Sequence, residues 1–432
     1  MRTRRDFLRK VGAATGAATL LPTFNPLKAQ DILLAGEQIA HLSPLQAASD
    51  EDYWASIQQA YTASTTIINL NNGGVSPQPT IVQEAQDRYT RIANEAPSYY
   101  MWRIMDQGRE PIRSKLADLA GCSPEEIAVN RNATEALATI IFGLTLRKGD
   151  EVVLTRQDYP NMIQAWKQRE IRDEIKLKWI NLDLPIESDE VFVQKFTEQF
   201  TAKTKVVYIT HMINWTGQIL PVRKIADVAH ARGIEVVVDA AHTFAHLDYK
   251  LPDLGADYAG TSLHKWLCAP FGSGMLYVKK EKVKGLYPLF PNVDPRIDDI
   301  RKFEVLGTRS FAIEQAIGQA INFQNAIGTK RKEERLRYLK NYWCDKVKDL
   351  PRIKLNTSLK PEYSCALANF TVEGMEPGAI ESFLFNKYKI HTSPIVWENI
   401  KGVRVTPHVY TTLKDLDRLV EAITYLSKNK IS

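Results

Sequence analysis

Lys265 stands in Thr261-Ser262-Leu263-His264-Lys265-Trp266, behind a strand-like run and ahead of the glycine-rich turn Ala269-Pro270-Phe271-Gly272-Ser273-Gly274. A lysine that condenses with a carbonyl must be held in a site and poised between protonation states, whereas a lone loop lysine is ordinarily a solvated charge. Ser-x-His-Lys before such a turn is far more specific than the lone residue. Twenty-six residues upstream, Asp239 ends Val236-Val237-Val238-Asp239, and His242 follows three positions on. A carboxylate at the carboxyl end of a parallel strand sits where open α/β sheets bind ligands. Taken alone, Asp239 would read as a helix N-cap. With Lys265 it meets the needs of pyridoxal phosphate (PLP), whose ring nitrogen must stay protonated so that the ring can accept electrons from the substrate carbon. His242 is then placed to donate to the ring's phenolic oxygen.

A phosphate calls for a helix start. Asn130-Arg131-Asn132-Ala133-Thr134-Glu135-Ala136 opens one after a strand, with backbone N–H groups and the Thr134 hydroxyl available to an anion. Ser262 and His264 supply further donors beside Lys265. In Gln157-Asp158-Tyr159-Pro160-Asn161, Tyr159 follows a strand end, where an aromatic ring can stack on a pyridine; alone it would be a surface tyrosine. His242 and His246 stand four apart, a possible metal pair on a helix, but no His-Glu-x-x-His arrangement accompanies them and no metal is expected.

The elements that must position these residues are legible as patterns. Segments 45–62 and 80–95 read as helices around a turn-rich loop, Asn69-Leu70-Asn71-Asn72-Gly73-Gly74-Val75-Ser76-Pro77. Helices are expected at 110–120, 134–144 and 222–232, and strands at 127–130, 151–155, 205–210, 235–239 and 275–278. Apolar strands without alternation, separated by helices, predict a mostly parallel sheet covered on both faces. Past about 310 a long helical region, 312–347, leads into short strands and a last helix at 413–427. The expected organisation is an N-terminal helical segment (31–68), a large α/β domain (69–310), and a connecting helix with a small C-terminal α+β domain (311–432).

The chain of 432 residues is 44% hydrophobic and 25% charged, ample for two domains. Its net charge of +6 is interspersed rather than gathered in a stripe, which argues against a nucleic-acid partner. Thr3-Arg4-Arg5-Asp6-Phe7-Leu8-Arg9-Lys10 precedes a mildly apolar, Ala/Gly-rich run over 11–21. That run is too short and glycine-rich for a membrane span. Residues 1–30 are therefore expected to be a twin-arginine export signal, cleaved near Leu27-Lys28-Ala29, and the protein to be periplasmic. The twin-arginine machinery carries folded proteins, which suits an enzyme that acquires its cofactor in the cytoplasm. Cys122, Cys268, Cys344 and Cys365 have no metal spacing.

From about Asn69 to the C-terminus, these features resemble the class V aminotransferase family of PLP enzymes, which includes cysteine desulfurases, isopenicillin N epimerase-like proteins and several lyases. The resemblance implies a large PLP-binding domain with a seven-stranded-type sheet and a Schiff base on Lys265. It also implies pairing of Asp239 with the pyridinium, contact of His242 with the ring oxygen, and stacking by Tyr159. Ala133, Thr134, Ser262 and His264 then hold phosphate, and Asn214, in His211-Met212-Ile213-Asn214-Trp215-Thr216-Gly217, lies near the ring. Thr308, in Gly307-Thr308-Arg309, is expected to reach the neighbouring subunit's phosphate in a homodimer. Arg404, in Val403-Arg404-Val405-Thr406-Pro407-His408, is similar to the arginine that clamps the substrate carboxylate, a task suited to a guanidinium. Asn72 is expected to meet the substrate.

Cysteine desulfurases carry a nucleophilic cysteine shortly before this arginine, but His391-Thr392-Ser393-Pro394-Ile395-Val396-Trp397-Glu398-Asn399 has none. Cys365, in the strand-like run 364–372, reads as a buried small hydrophobe. The expectation is an aminotransferase or epimerase acting on a small amino-acid-type substrate, with Lys265 as general base. A carbon–sulfur or other β-lyase is the alternative. A non-catalytic PLP-binding protein is disfavoured, because Lys265, Asp239 and Arg404 are all present.

Overall fold

The structure, a computed structural model, describes residues 29–430. Apart from residues 29 and 30, which open the helix Ala29–Gln38, the expected export signal lies outside the described residues.

A short strand, β1 (Ile68–Asn69), precedes the main sheet. That sheet comprises β2 (Ile127–Asn130), β3 (Glu151–Thr155), β4 (Lys176–Ile180), β5 (Thr204–Thr210), β6 (Glu235–Asp239), β7 (Tyr258–Ser262) and β8 (Gly274–Val278). Its order is β2-β8-β7-β6-β5-β3-β4, and β8 runs antiparallel to both its neighbours while the remaining pairs are parallel. Helices cover both faces, so both sides of each central strand are apolar: Val236 and Val238 of β6 enter one core, and Val237 enters the other. The carboxyl ends of β5, β6 and β7 converge on one edge, and that edge carries Thr210, Asp239 and Ser262.

The C-terminal part holds β9 (Ile353–Leu355), β10 (Ala368–Val372), β11 (Ile390–His391), β12 (Ser393–Trp397) and β13 (Ile400–Val405). The antiparallel sheet β12-β13-β10-β9 packs with helices around Trp343, Phe370 and Leu416. β1 pairs in parallel with β11, and Leu70 is buried in this same small core. Residues 68–70 thus belong physically with the C-terminal part, because β11 satisfies the backbone groups of β1 and the small core takes the side chains of Ile68 and Leu70.

Two helical expectations are corrected. The long region 312–347 is two helices, Phe311–Ile327 and Thr329–Val347, separated at Gly328, whose φ of 88° interrupts the helix. The segment 45–62 splits into Pro44–Ala47 and Glu51–Gln58, the second started by Asp50, whose carboxylate accepts the Tyr53 N–H at 3.0 Å. Gly274 has a positional reason of another kind. A Cβ there would lie 2.5 Å from the Asn132 backbone nitrogen, so only glycine lets β8 pass this close to the start of the helix Ala133–Gly143.

Candidate active site

A cavity of about 320 Å³ lies at the carboxyl edge of the main sheet. The sheet supplies Asp239, Ser262 and, just beyond β7, His264 and Lys265; the small domain supplies Arg404 from β13. Its remaining walls include the first turn of the helix Ala133–Gly143, Tyr159, Asn214 and the Gly73-Gly74 loop.

Lys265 is held in place by the His242 ring, with Nζ 3.2 Å from Nε2. Burial pushes the Lys265 ammonium down to about 8; Asp239 opposes this and Arg404 adds to it. The same burial, with the charges of Lys265 and Arg404, holds the His242 imidazole neutral. Its Nδ1 is buried and has no partner among the described residues. Asp239 accepts the Ala241 N–H at 2.8 Å. Burial raises this carboxyl above its usual range, against the backbone bond and the nearby Lys265.

The helix start forms an anion cradle. The Asn132 side chain caps it by accepting the Glu135 N–H at 2.9 Å, and Ala133 donates its N–H to Ser262 Oγ at 2.9 Å. Because Ser262 Oγ accepts there, its own proton remains free to donate. His264 Nδ1 lies 3.0 Å from the Ser273 carbonyl, a partner that can only accept, so Nδ1 carries the proton in this contact. Arg404 donates from Nη1 to the Asn214 carbonyl at 2.9 Å and from Nη2 to Asn71 Oδ1 at 2.8 Å. Its Nε is buried without a partner among the described residues. Burial lowers its guanidinium to about 10, which leaves it charged at neutral pH.

Two expectations change, for Asn72 and for the His242–His246 pair, and the position of Thr308 can be stated. Asn72 does not reach the cavity: it is fully buried, its amide donates to the Asn69 and Thr406 carbonyls, and its Oδ1 accepts from Tyr410 and Asn69. Its neighbour Asn71 makes the contact with Arg404 instead. Thr308 lies outside the Lys265 cavity of its own chain, in a separate hollow of about 440 Å³ on the other side of the Asn132 cap. His242 and His246 are not on a helix but in consecutive turns after β6. His246 Nδ1 bonds the His242 carbonyl at 2.7 Å, and its Nε2 accepts the Ala366 N–H at 3.2 Å. Both ring nitrogens are therefore engaged, and the pair cannot grip a metal.

These residues fit PLP. Among the described residues Asp239 makes no salt bridge, so a protonated ring nitrogen would give this buried carboxylate its counter-charge. The cradle suits a phosphate, the unpartnered His242 Nδ1 suits the ring oxygen, and Lys265 is the amine. Tyr159, 40% exposed, lines the cavity beside them.

Residues 67–419 match the family described as Aminotransferase class-V. The chain belongs to the class-V aminotransferase family. It is accordingly a PLP-dependent enzyme. This class-V chain is 27% identical over 396 residues to the isopenicillin N epimerase of Amycolatopsis lactamdurans, covering 87% of itself and 99% of that protein. It is 24% identical over 383 residues to the probable cysteine desulfurase of Synechocystis sp., covering 83% and 90%. In fold it is similar to a C-DES mutant with glycine covalently linked to the PLP cofactor. There the TM-score is 0.77 at 20% identity, over 85% of this chain and 98% of that one.

The class-V site also contains residues that no local motif pointed to. Trp215 lines the cavity and stacks on Trp397 of β12, with ring centroids 5.6 Å apart and planes at 29°. The β12–β13 hairpin that carries Trp397 is tied to the large domain. Trp397 Nε1 donates to the Arg156 carbonyl at 2.9 Å, and Asn399 exchanges bonds with Gln157 (2.8 Å) and the Leu182 carbonyl (3.1 Å). None of the four cysteines lines the cavity. Cys268, Cys344 and Cys365 are buried, and Cys122 is half-buried. Cys365 lies just before β10 rather than within it.

Proposed function

We propose that this class-V enzyme works at the α-carbon and amino group of an amino-acid-type substrate, as an epimerase or aminotransferase of the isopenicillin N epimerase-like kind. The observation that carries this reading over a desulfurase is the absence of cysteine from the cavity and from the β12–β13 hairpin that leads to Arg404. A persulfide would have no carrier there.

When bound, PLP supplies an aldehyde that condenses with amines and a protonated ring that draws off the electron pair left at the α-carbon. Everything else falls to the chain. Arg404, braced by Asn71 and the Asn214 carbonyl, binds the substrate carboxylate and fixes which bond at the α-carbon faces Lys265. Lys265, with its ammonium lowered to about 8, takes the α-proton on its Nζ and returns it. Asp239 keeps the ring nitrogen protonated. Neutral His242 donates from Nδ1 while its Nε2 orients Lys265. Trp215 and Trp397 restrict water at the rim.

The deciding experiment incubates candidate amino acids with the holoenzyme in heavy water, with and without a keto-acid acceptor. Deuterium at the α-carbon with loss of chirality identifies an epimerase, and new amino acid formed only with acceptor identifies an aminotransferase. Release of a β-substituent, or of sulfur from cysteine, overturns the proposal in favour of a lyase or desulfurase.

Two further parts of the proposal concern the enzyme's setting. Thr308 faces away from its own cavity, in keeping with a homodimer in which it serves the partner's phosphate; sedimentation of the holoenzyme as a monomer would refute that. The Arg4-Arg5 segment supports twin-arginine export to the periplasm, to be read as loss of periplasmic protein in the double variant Arg4→Lys, Arg5→Lys.

A further inference from the structure

Asp158 has no role in the chemistry above, yet it is 1% exposed and lies beside the cavity floor. It follows β3, and Asp239 ends β6; β5 lies between these two strands in the sheet. Thr210, the last residue of β5, connects them. Its hydroxyl donates to Asp158 Oδ1 at 2.6 Å, and Asp239 is its register partner on β6. Asp158 Oδ1 also accepts the Tyr159 N–H at 2.6 Å, while Oδ2 is buried with no partner among the described residues. Two buried carboxyl groups thus flank one strand end, and their surroundings differ. Asp239 has Lys265 opposite it and the Ala241 N–H on one oxygen. Asp158 is faced by Asp239 from β6 and by Thr210 from β5, the Tyr208 hydroxyl lies near both carboxyls and favours the Asp239 anion, and among the described residues no arginine or lysine bonds Asp158. Two like charges flanking one strand end in a dry site disfavour each other, and the one without a cation is neutralised first. Burial, and then the charge of Asp239, push the Asp158 carboxyl well above the usual carboxylate range.

We propose that Asp158 is a positioning residue that keeps its proton at neutral pH, so that the Asp158–Asp239 pair carries one negative charge, placed on Asp239. That single charge matches the single positive charge of a protonated ring nitrogen. The neutral Asp158 carboxyl anchors Thr210 and the Tyr159 backbone without competing for the cation. This consequence for the cofactor rests on the functional reading above; the proton itself does not, and the experiments read the proton.

The first measurement is the infrared spectrum of holoenzyme labelled with 13C at the aspartate side-chain carboxyl, compared with the labelled variant Asp158→Asn. A labelled carboxylic-acid C=O band present at pH 7, absent from the variant and lost only at alkaline pH is the expected result. Loss of a carboxylate band in the variant, with no acid band in the native protein, overturns the proposal. The second measurement needs no intact spectrum of the variant site. Unfolding of the full chain by denaturant is followed between pH 5 and 8, with and without the substitution. A carboxyl whose pKa is raised by folding holds a proton that the unfolded chain has released, so native stability falls as pH rises through this window. The unfolding constant of the native chain should therefore rise about tenfold per pH unit relative to Asp158→Asn. Parallel pH profiles overturn the proposal. If Asp158→Asn does not fold, Asp158→Ala takes its place in both measurements, and the absence of any acid band from the native protein at pH 7 overturns the proposal by itself. Failure of the heavy-water assay would leave both results standing, so the two readings fail separately.

Discussion

The cavity wall and the layer packed directly behind it use the same residue types in opposite ways, and His242 and His246 are the sharpest instance. His242 faces Lys265 and keeps one buried ring nitrogen without a partner. His246 has both nitrogens bonded within the chain and lies 3.7 Å from the Trp266 ring, nearly parallel to it. Behind it, the Lys332 ammonium is occupied by the Trp266 carbonyl and Gln324. Lys265 Nζ by contrast has, among the described residues, only the His242 nitrogen. The wall keeps hydrogen-bonding capacity in reserve for something that arrives, whereas the layer behind spends it on holding the Lys265 turn in place. Residue type does not distinguish binding from support; the unfilled valence does.

Substitutions on the two sides should separate accordingly. Lys265→Ala should abolish covalent retention of PLP under borohydride and lower turnover by ~10³-fold or more, while leaving the thermal midpoint near that of the native protein. Loss of stability instead would put Lys265 with the supporting layer. Arg404→Ala removes about two charge-assisted bonds to a carboxylate, so kcat/KM should fall about 100-fold, mostly through KM; an unchanged value would assign Arg404 to domain packing alone. The rate at which the apoprotein takes up PLP covalently should rise with pH as Lys265 loses its proton. It should gain about tenfold per unit at low pH and level off above about 8. A rate independent of pH would mean that the amine is neutral throughout. His246→Phe, on the other side, strands the Ala366 N–H and the His242 carbonyl. Its expected cost is about 1–3 kcal/mol of stability, with turnover per folded molecule close to native; a selective loss of turnover would erase the distinction.

Much of this was legible in the chain. Continuous apolar runs such as Glu235–Asp239 announce strands buried on both faces, and chemistry falls where such a strand ends. The Ser-x-His-Lys motif and the capped helix start are local, so sequence alone brought Lys265, Ser262, Thr134 and Asp239 to one site. Partnerships that cross the sheet order were not legible. Asp158 stands in a motif whose local signal singles out Tyr159 alone, because its relation to Asp239 exists only once β5 is placed between β3 and β6. Asn71 and Arg404 meet across most of the chain, and nothing local separates Asn71 from Asn72, which turns inward. The break at Gly328 was hidden for a different reason: a glycine inside a helical pattern costs only about 1 kcal/mol, so it marks an interruption only when the flanking helices pack in different directions.

The pairing of β1 with β11 brings residues 68–69 against residues 390–391, and the loop that carries Asn71, Gly73 and Gly74 hangs from that junction. During synthesis, the strand that ends in Asp239 and the turn that carries Lys265 leave the ribosome well before the segment that anchors this loop. Contacts this remote along the chain close late. A nascent polypeptide can thus form the floor of the pocket but not the side that carries Arg404 and the Gly73-Gly74 loop, so an assembled pocket reports that translation has passed β13.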